Sequence, residues 1–269
     1  MAPPSAATIR AVYKCLLLEA RALQRQPQFA LRNALRLEQW GSGRFVEPRT
    51  SGAEQKEAAA ALASVRSLGQ FLTLQERGFA RDVAGGVDIA GIIRESFREN
   101  AGLQHPQEIS DKLDEAIIAL QELSEQLLLA KCSSVTTTRG VRIEATSKYV
   151  ETHSNPEQNV FRFTYRITIT NENAHESVQI LGRQYTFESE KGQRTALPRN
   201  SPGVVGATPV LAPGEAFEYA SGVDIDAPRG SVSGCLHALR RSDAPDGDEL
   251  FDAFVSKFAL LTPAAAQKQ

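Results

Sequence analysis

The chain has 269 residues, of which 42% are hydrophobic and 23% charged, with a formal net charge of −2 and a pI near 6.1. This composition and length are typical of a folded protein of one large or two ordinary domains. The near-neutral charge gives no basis for a general attraction to nucleic acid or anionic membranes. No run reaches the roughly 18 apolar residues of a spanning helix, and the three cysteines are too few and too far apart for a disulfide framework.

The first half of the chain has the periodicity of amphipathic helices. Apolar residues recur at i, i+3, i+4 and i+7 over residues 9–23, which predicts a helix with one buried face. A short helix is predicted over 27–40 and a long alanine-rich one over about 53–83, and glycines follow both. Two further helices are predicted around 89–97 and 106–127, the second with a proline in its first turn.

After residue 132 the periodicity becomes that of β-strands. Over 161–170, aromatic and β-branched residues alternate with arginine and threonine, as in one half-buried strand. Further strands of this kind are predicted at 141–150, 178–188, 216–221, 231–239 and 250–258. Turn residues separate the strands and no helical pattern intervenes, so the sequence predicts an antiparallel β-sandwich.

Two segments of the helical half resemble the complex 1 LYR-like family, whose members carry a leucine-tyrosine-arginine motif early in an amphipathic helix. The segment IRAVYKCLLLEARAL has Val12-Tyr13-Lys14 at the motif. The segment IIRESFRENAGLQHPQEISDKLDEAI resembles the family's second and third helices, with Arg94, Phe97 and Arg98 in matching places. Roughly 60 residues between the two segments form an insertion, where an ordinary member has a short connection.

The LYR resemblance implies a bundle that receives the acyl-4′-phosphopantetheine arm of the mitochondrial acyl carrier protein between its helices. The residues that it implies for partner binding are Tyr13, Lys14, Arg21, Arg94, Phe97 and Arg98. Burying about ten acyl carbons contributes on the order of 8 kcal/mol before association costs, whereas each exposed ion pair contributes about 0 to 1 kcal/mol. The acyl chain is therefore expected to hold the complex. The alternative for the same apolar faces is a closed helical bundle.

The second half resembles the ApaG domain, a small sandwich of the fibronectin type III (immunoglobulin-like) kind. The blocks that carry the resemblance are VRIEATSKYVETHSNPEQ, FRFTYRITITN, GVVGATPVLAPGEAFEYASG and LFDAFVSKFAL, in that order. The fold class expected for the whole chain is α+β in two domains. The expected domains are a helical LYR-like domain at 1–131 with its insertion at about 26–86, a linker at 132–140, the sandwich at 141–261 and a flexible tail at 262–269.

The glycine-rich segment 201–206 stands where many ApaG members carry a G-x-G-x-x-G run that is often linked to phosphate binding. A β-sandwich lacks the strand-then-helix context that aims backbone amides at a phosphate, so Gly203 and Gly206 are interpreted as turn residues. The alternative is a phosphate- or nucleotide-binding enzyme of the ApaG type. No catalytic residue is identified, and the four histidines, His237 among them, show no ligand spacing that predicts a metal site.

The two resemblances together imply a non-catalytic adaptor, accessory subunit or assembly factor, with no cofactor of its own beyond the acyl-4′-phosphopantetheine of its partner. The expected partners are the mitochondrial acyl carrier protein and a larger mitochondrial complex, namely a respiratory complex, the iron–sulfur machinery or the ribosome; direct binding of nucleic acid is not expected. Residues 1–37 contain six basic residues and a single acidic one, Glu19. This composition resembles that of a matrix-targeting segment, which is expected to remain uncleaved. The alternatives are a basic helix face in a cytosolic protein and a cytosolic substrate-recognition adaptor.

Overall fold

A computed structural model describes residues 4–26, 30–31, 43–46, 83–84, 88–199, 201–241 and 247–266. The helices predicted over 27–40 and 53–83 lie outside the described residues except at 30–31 and 83, and these residues form short paired β-strands instead of helix. The chain divides into two compact units, with the main boundary between Ala130 and Lys131. None of the described helices combines the length and the apolar character that crossing a bilayer requires.

The first unit contains three helices and a two-stranded sheet. The helices are α1 (Ala6–Gln24), α2 (Ile89–Glu99) and α3 (Pro106–Lys131), with a 3-10 turn at Asn100–Gly102 between the last two, and the paired strands are β1 (Ala30–Leu31) and β3 (Val83–Ala84). Side chains cap the first two helices: Ser5 Oγ accepts from the Thr8 amide at 3.1 Å, and Asp88 Oδ1 accepts from the Gly91 amide at 2.8 Å.

One hydrophobic core joins the three helices, and most of its members lie on the faces that helical periodicity predicts, whereas Ile117, predicted on such a face, is 37% exposed. Its buried residues are Leu16, Ala20 and Leu23 of α1, Ile89, Ala90 and Ile93 of α2, and Ala116, Ala119, Leu123 and Leu127 of α3. The helices predicted at 9–23, 89–97 and 106–127 are therefore present, and each places its apolar face in this shared core.

The second unit is a β-sandwich of two five-stranded antiparallel sheets. The first sheet has the spatial order β2 (Arg44–Val46), β10 (Ala216–Ile225), β6 (Phe161–Asn171), β5 (Val141–Tyr149) and β4 (Ser133–Thr138). The second has the order β12 (Glu249–Leu261), β11 (Arg229–Arg241), β7 (Ser177–Ser189) and β8 (Arg194–Ala196), with β9 (Val210–Leu211) also paired to β7. All six predicted strands are confirmed, and each lies within or largely overlaps one of these strands.

The core of the sandwich lies between the sheets and contains residues of both. In β6 the predicted alternation is confirmed in part, because Phe163, Ile167 and Ile169 are fully buried and Arg162 and Arg166 retain partial exposure, whereas Thr164 and Thr170 of the polar face are buried too. Three fully buried tyrosines extend the core, of which Tyr165 of the first sheet packs edge-on against Tyr185 of the second with centroids 6.1 Å apart, and the hydroxyls of Tyr185 and Tyr219 form a hydrogen bond.

The segment predicted as a linker at 132–140 is instead an edge strand. Residues Ser133–Thr138 pair with β5, and their side chains bond the exposed backbone of β12, the edge strand of the other sheet. The Phe254 amide donates to Thr138 Oγ1 and the Ser256 amide to Thr136 Oγ1, both at 3.2 Å. Serine and threonine therefore satisfy an edge that would otherwise present unpaired backbone groups.

Replacing Thr136 and Thr138 together by valine is expected to destabilise the sandwich by about 0.5–1.5 kcal/mol for each lost acceptor. Valine matches threonine in shape and favours strands, so the loss reports the hydrogen bonds. The midpoint of urea unfolding measures it, with Thr137→Val on the exposed side of β4 as the control. Equal stability of the control and the double variant would contradict the edge-capping role.

The predicted flexible tail also begins with ordered structure. Residues Pro263–Ala266 form a short helix, α4, in which Ala265 is buried. Thr262 Oγ1 accepts from the Ala265 amide at 3.3 Å, and Arg229 donates to the Ala265 carbonyl. The alanine-rich composition that suggested a tail is equally suited to a helix, and its contacts with β11 decide between the two.

Candidate functional site

A cavity of about 290 Å³ opens within the helical unit. Its apolar wall consists of Ile9 of α1, Phe97 of α2, Leu103 of the connection, and Ile109, Leu113 and Ala116 of α3. This volume is close to the lower end of the range for ligand pockets, about 300–1,000 Å³, and mostly apolar walls are typical of such pockets. The cavity can therefore take an apolar chain or ring rather than a strongly polar ligand.

A few polar groups accompany the apolar wall. Lys112 Nζ lies 2.7 Å from Glu115 Oε2, and both residues line the cavity. The Lys112 side chain is half exposed, so this ion pair is in contact with both the cavity and the solvent. Sequence analysis missed Lys112, because a lysine on a helix near Ile109 and Leu113 has no local feature that distinguishes it from a solvated surface residue.

The structure brings together the two aromatic residues predicted to bind a partner. The rings of Tyr13 and Phe97 are tilted with centroids 4.9 Å apart, and both pack against the helical core. Phe97 lines the cavity, whereas Tyr13 is not among the lining residues. A residue of α1 and one of α2, 84 positions apart, therefore form one aromatic cluster at the cavity wall.

The four predicted basic residues lie on the surface. Lys14 and Arg21 of α1 are exposed, as are Arg94 and Arg98 of α2. Arg98 forms an ion pair with Glu95 of its own helix. Spacings of seven on α1 and four on α2 place each pair on one face of its helix. None of the four lines the cavity, so they can contact a partner only outside it.

The backbone amides of the glycine-rich turn form hydrogen bonds within the sandwich. Gly203 and Gly206 have φ angles of +61° and +78°, and a Cβ on Gly203 would lie 2.5 Å from the Ala207 carbonyl oxygen. The Gly203 amide donates to the Leu181 carbonyl at 2.8 Å, and the Val204 amide to the Ala207 carbonyl at 2.7 Å. Two of the amides that a phosphate would need are thus already bonded within the fold.

Three potential metal ligands lie together on adjacent strands of the sandwich. Cys235 and His237 are two residues apart on β11 and so share a face, and Asp252 of β12 is directly opposite His237 in the strand register. The His237 Nδ1 atom is 2.7 Å from Asp252 Oδ1, and one donor atom from each of the three residues lies within 4.8 Å of the others. Sequence analysis overlooked the Cys-x-His spacing, and Asp252 joins it only through the register.

The charges around these three residues are partly balanced. Arg199 Nη2 lies 3.0 Å from Asp252 Oδ2, and its side chain is 71% exposed. Burial, with the Asp252 carboxylate as a second cause, raises the pKa of the Cys235 thiol, while Arg199 lowers it. His237 Nε2 is buried without a hydrogen-bond partner among the described residues. The thiol is therefore protonated at neutral pH, and the imidazole keeps one unused nitrogen.

The ApaG domain family matches residues 151–240 of the chain. Protein ApaG of Methylobacterium sp. (strain 4-46) is 33% identical over 126 residues, which are 47% of this chain and 91% of that protein. Protein ApaG of Pectobacterium carotovorum (strain PC1) is 39% identical over 124 residues, 46% of this chain and 93% of that protein. The chain belongs to the ApaG family.

A solved structure is also similar to the ApaG half. The putative ApaA protein from Bordetella pertussis is 29% identical, and the match covers 49% of this chain and 97% of that one with a TM-score of 0.41. The predicted ApaG resemblance of the second half is confirmed by the family match. That match includes the glycine-rich turn, Cys235 and His237, lies wholly within the sandwich and contains no residue of the helical unit.

Proposed function

We propose that this ApaG-family protein is a non-catalytic adaptor whose LYR-like helical unit docks an acylated acyl carrier protein and whose sandwich binds another protein. The observation that carries the proposal is the apolar cavity within the helical unit, walled by Phe97 and by residues of all three helices. Lys112 lines the cavity and is half exposed, so when an acyl chain occupies the cavity its phosphopantetheine phosphate can compete with Glu115 for this lysine.

The apolar wall accounts for most of the expected affinity. Each buried methylene contributes about 0.8 kcal/mol, so burying even half of a ten-carbon chain contributes about 4 kcal/mol before association costs. Contact with the Phe97 ring adds to this, since that ring already lines the cavity and packs against Tyr13.

The surface charges have a smaller and different role. Lys14, Arg21, Arg94 and Arg98 are exposed on α1 and α2, where each ion pair with an acidic carrier contributes about 0 to 1 kcal/mol. Such charges mainly raise the rate of association and fix the orientation of the partner. Changing one of them to alanine should therefore affect the dependence of binding on salt more than its strength.

The glycine-rich turn supports the non-catalytic side of the proposal. Its amides at Gly203 and Val204 are bonded to the Leu181 and Ala207 carbonyls, so phosphate binding there would require breaking two backbone hydrogen bonds. For the sandwich we propose a protein partner within a larger mitochondrial complex: a respiratory complex, the iron–sulfur machinery or the ribosome.

The proposed location is the mitochondrial matrix, and the basic face of α1 supports it. Fusing residues 1–40 to a fluorescent reporter tests the location directly, and import into mitochondria is the expected result. A diffuse cytosolic signal would instead favour the cytosolic substrate-recognition adaptor.

Changing Phe97 to aspartate is expected to weaken binding of an acylated acyl carrier protein by more than about 100-fold. The charge would lie in the apolar wall, where an unpaired carboxylate is strongly unfavourable. The full chain is first purified from its native cells and its partners are identified by mass spectrometry. Isothermal titration with the acylated carrier then measures the affinity of the wild type and the variant.

The matched control is Ile118→Asp, which introduces the same charge on α3 at a side chain that is already 50% exposed and does not line the cavity. Circular dichroism checks that both variants keep their helices. Equal binding by Phe97→Asp and wild type, or equal affinity for carriers with and without the acyl chain, would overturn the proposal.

A further inference from the structure

We propose that Cys235, His237 and Asp252 form a binding site for a transition-metal ion of the Zn²⁺ class in the ApaG sandwich. The site lies in a different unit from the helical cavity and does not depend on the docking proposed above. The cluster supplies a sulfur, a nitrogen and an oxygen, a mixture that suits Zn²⁺ or Co²⁺ and does not suit Mg²⁺ or Ca²⁺, which prefer oxygen ligands alone.

Two features of the sheet place the donors close together. Residues 235 and 237 are two positions apart on β11, so their side chains lie on the same face of the sheet. Residue 252 of β12 pairs with residue 237 in the antiparallel ladder. The donor atoms are within 4.8 Å of one another, whereas ligands of a tetrahedral zinc ion are separated by roughly 3.3–3.8 Å. The His237 and Asp252 donors are closer than this at 2.7 Å, so binding requires them to separate by roughly 0.6 Å, and the Asp252 side chain, which is one-third exposed, is free to make that adjustment.

The hydrogen bond between the imidazole and the carboxylate marks the position of the ion. A cation that takes the place of the hydrogen bond between His237 Nδ1 and Asp252 Oδ1 gains two ligands at once, after these atoms, which are 2.7 Å apart, have separated slightly. The Cys235 sulfur is the third ligand. It loses its proton on binding, as thiol ligands do. Thiolate and carboxylate then neutralise the two charges of the ion, and a fourth position remains for solvent.

Arg199 is the main competitor of the ion. Its guanidinium is 3.0 Å from Asp252 Oδ2 and balances the carboxylate in the metal-free protein. Because this side chain is 71% exposed, it can move into solvent when the ion binds. The geometry therefore predicts opposite effects for neighbouring substitutions: removal of a donor weakens binding, and removal of Arg199 strengthens it.

The test uses the full chain with Cys15→Ser, which removes the exposed thiol of α1 and keeps the site intact. Titration with Zn²⁺ against a chromophoric chelator is expected to show one ion per chain, and Mg²⁺ should not compete. In this background, Cys235→Ser and His237→Gln are each expected to lower the Zn²⁺ affinity by about 100-fold. Bound Co²⁺ should show thiolate-to-cobalt absorption that Cys235→Ser abolishes.

Arg199→Gln provides a variant that leaves all three donors in place and is expected to raise the Zn²⁺ affinity by roughly two- to fivefold. Circular dichroism shows that each variant is folded. Absence of stoichiometric Zn²⁺ binding in the Cys15→Ser protein, unchanged affinity in both donor variants, or weaker binding in Arg199→Gln would overturn the site. Loss of binding in the helical variant Phe97→Asp would also contradict its location.

Discussion

Replacing Glu218 by alanine is expected to lower the free energy of unfolding of the sandwich by about 3–5 kcal/mol. Glu218 of β10 is 4% exposed, and its Oε1 accepts a hydrogen bond from Arg166 Nη1 of β6 at 2.5 Å. The Arg166 side chain is only 10% exposed, and Thr168 donates to the other carboxylate oxygen at 3.1 Å. The variant leaves the guanidinium buried without this carboxylate, which is far less favourable than losing a surface ion pair.

Urea unfolding followed by circular dichroism measures this loss. The control is Glu188→Ala, which removes an exposed pair with Arg194 at 3.4 Å and should change stability by less than about 1 kcal/mol. Combining Glu218→Leu with Arg166→Met should restore much of the stability, since both members of the buried pair are then apolar. The burial argument would be contradicted if Glu218→Ala were as stable as Glu188→Ala. It would also be contradicted if the Glu218→Leu/Arg166→Met double variant were no more stable than Glu218→Ala.

Raising the pH above about 10 is expected to unfold the sandwich together with the ionisation of its three buried tyrosines. Burial raises the pKa of Tyr165, Tyr185 and Tyr219, while tyrosines of the unfolded chain ionise near pH 10. Above that pH the unfolded chain loses protons that the folded chain keeps, so stability is fully present below pH 10 and falls as the pH rises. The slope is up to ~1.4 kcal/mol per pH unit for each tyrosine.

Tyrosinate absorbance and the β-sheet circular dichroism signal, followed on the same samples, check this result. Of the five tyrosines, the three buried ones should ionise over the same pH range in which the β-sheet circular dichroism signal is lost. Tyr185→Phe should reduce the steepness of the alkaline transition by about one third, because one linked proton is removed. Ionisation of all five tyrosines while the sheet signal is intact would show that the core admits hydroxide without unfolding, contrary to the prediction.

Part of the candidate sites could be predicted from the sequence. Phe97 was identified from the LYR resemblance and lines the cavity, and Gly203 and Gly206 have the positive φ angles that a turn interpretation expects of them. Lys112 was missed because only the packing of α1, α2 and α3 creates the cavity that it borders. The Cys235–His237 spacing is visible in the sequence. Two potential ligands on one strand do not predict a metal site, however, until the structure places a third donor beside them.

The sequence by itself determined the local elements. Helical periodicity at 9–23 and strand alternation at 161–170 each result from a buried face opposite a solvated one, which depends on neighbouring residues alone. The helices at 9–23, 89–97 and 106–127, the six long strands and the change near residue 132 could for that reason be assigned from the sequence.

Only the tertiary structure decided the contacts between distant residues. The strand β4 has no hydrophobic alternation, and its threonines acquire their role from β12, about 120 residues later. The Arg166–Glu218 pair and the position of Asp252 beside His237 likewise depend on strand register, and a shift of one residue would turn these side chains to the opposite face. Register is set by the packing of the whole core, and no short stretch of sequence contains that information.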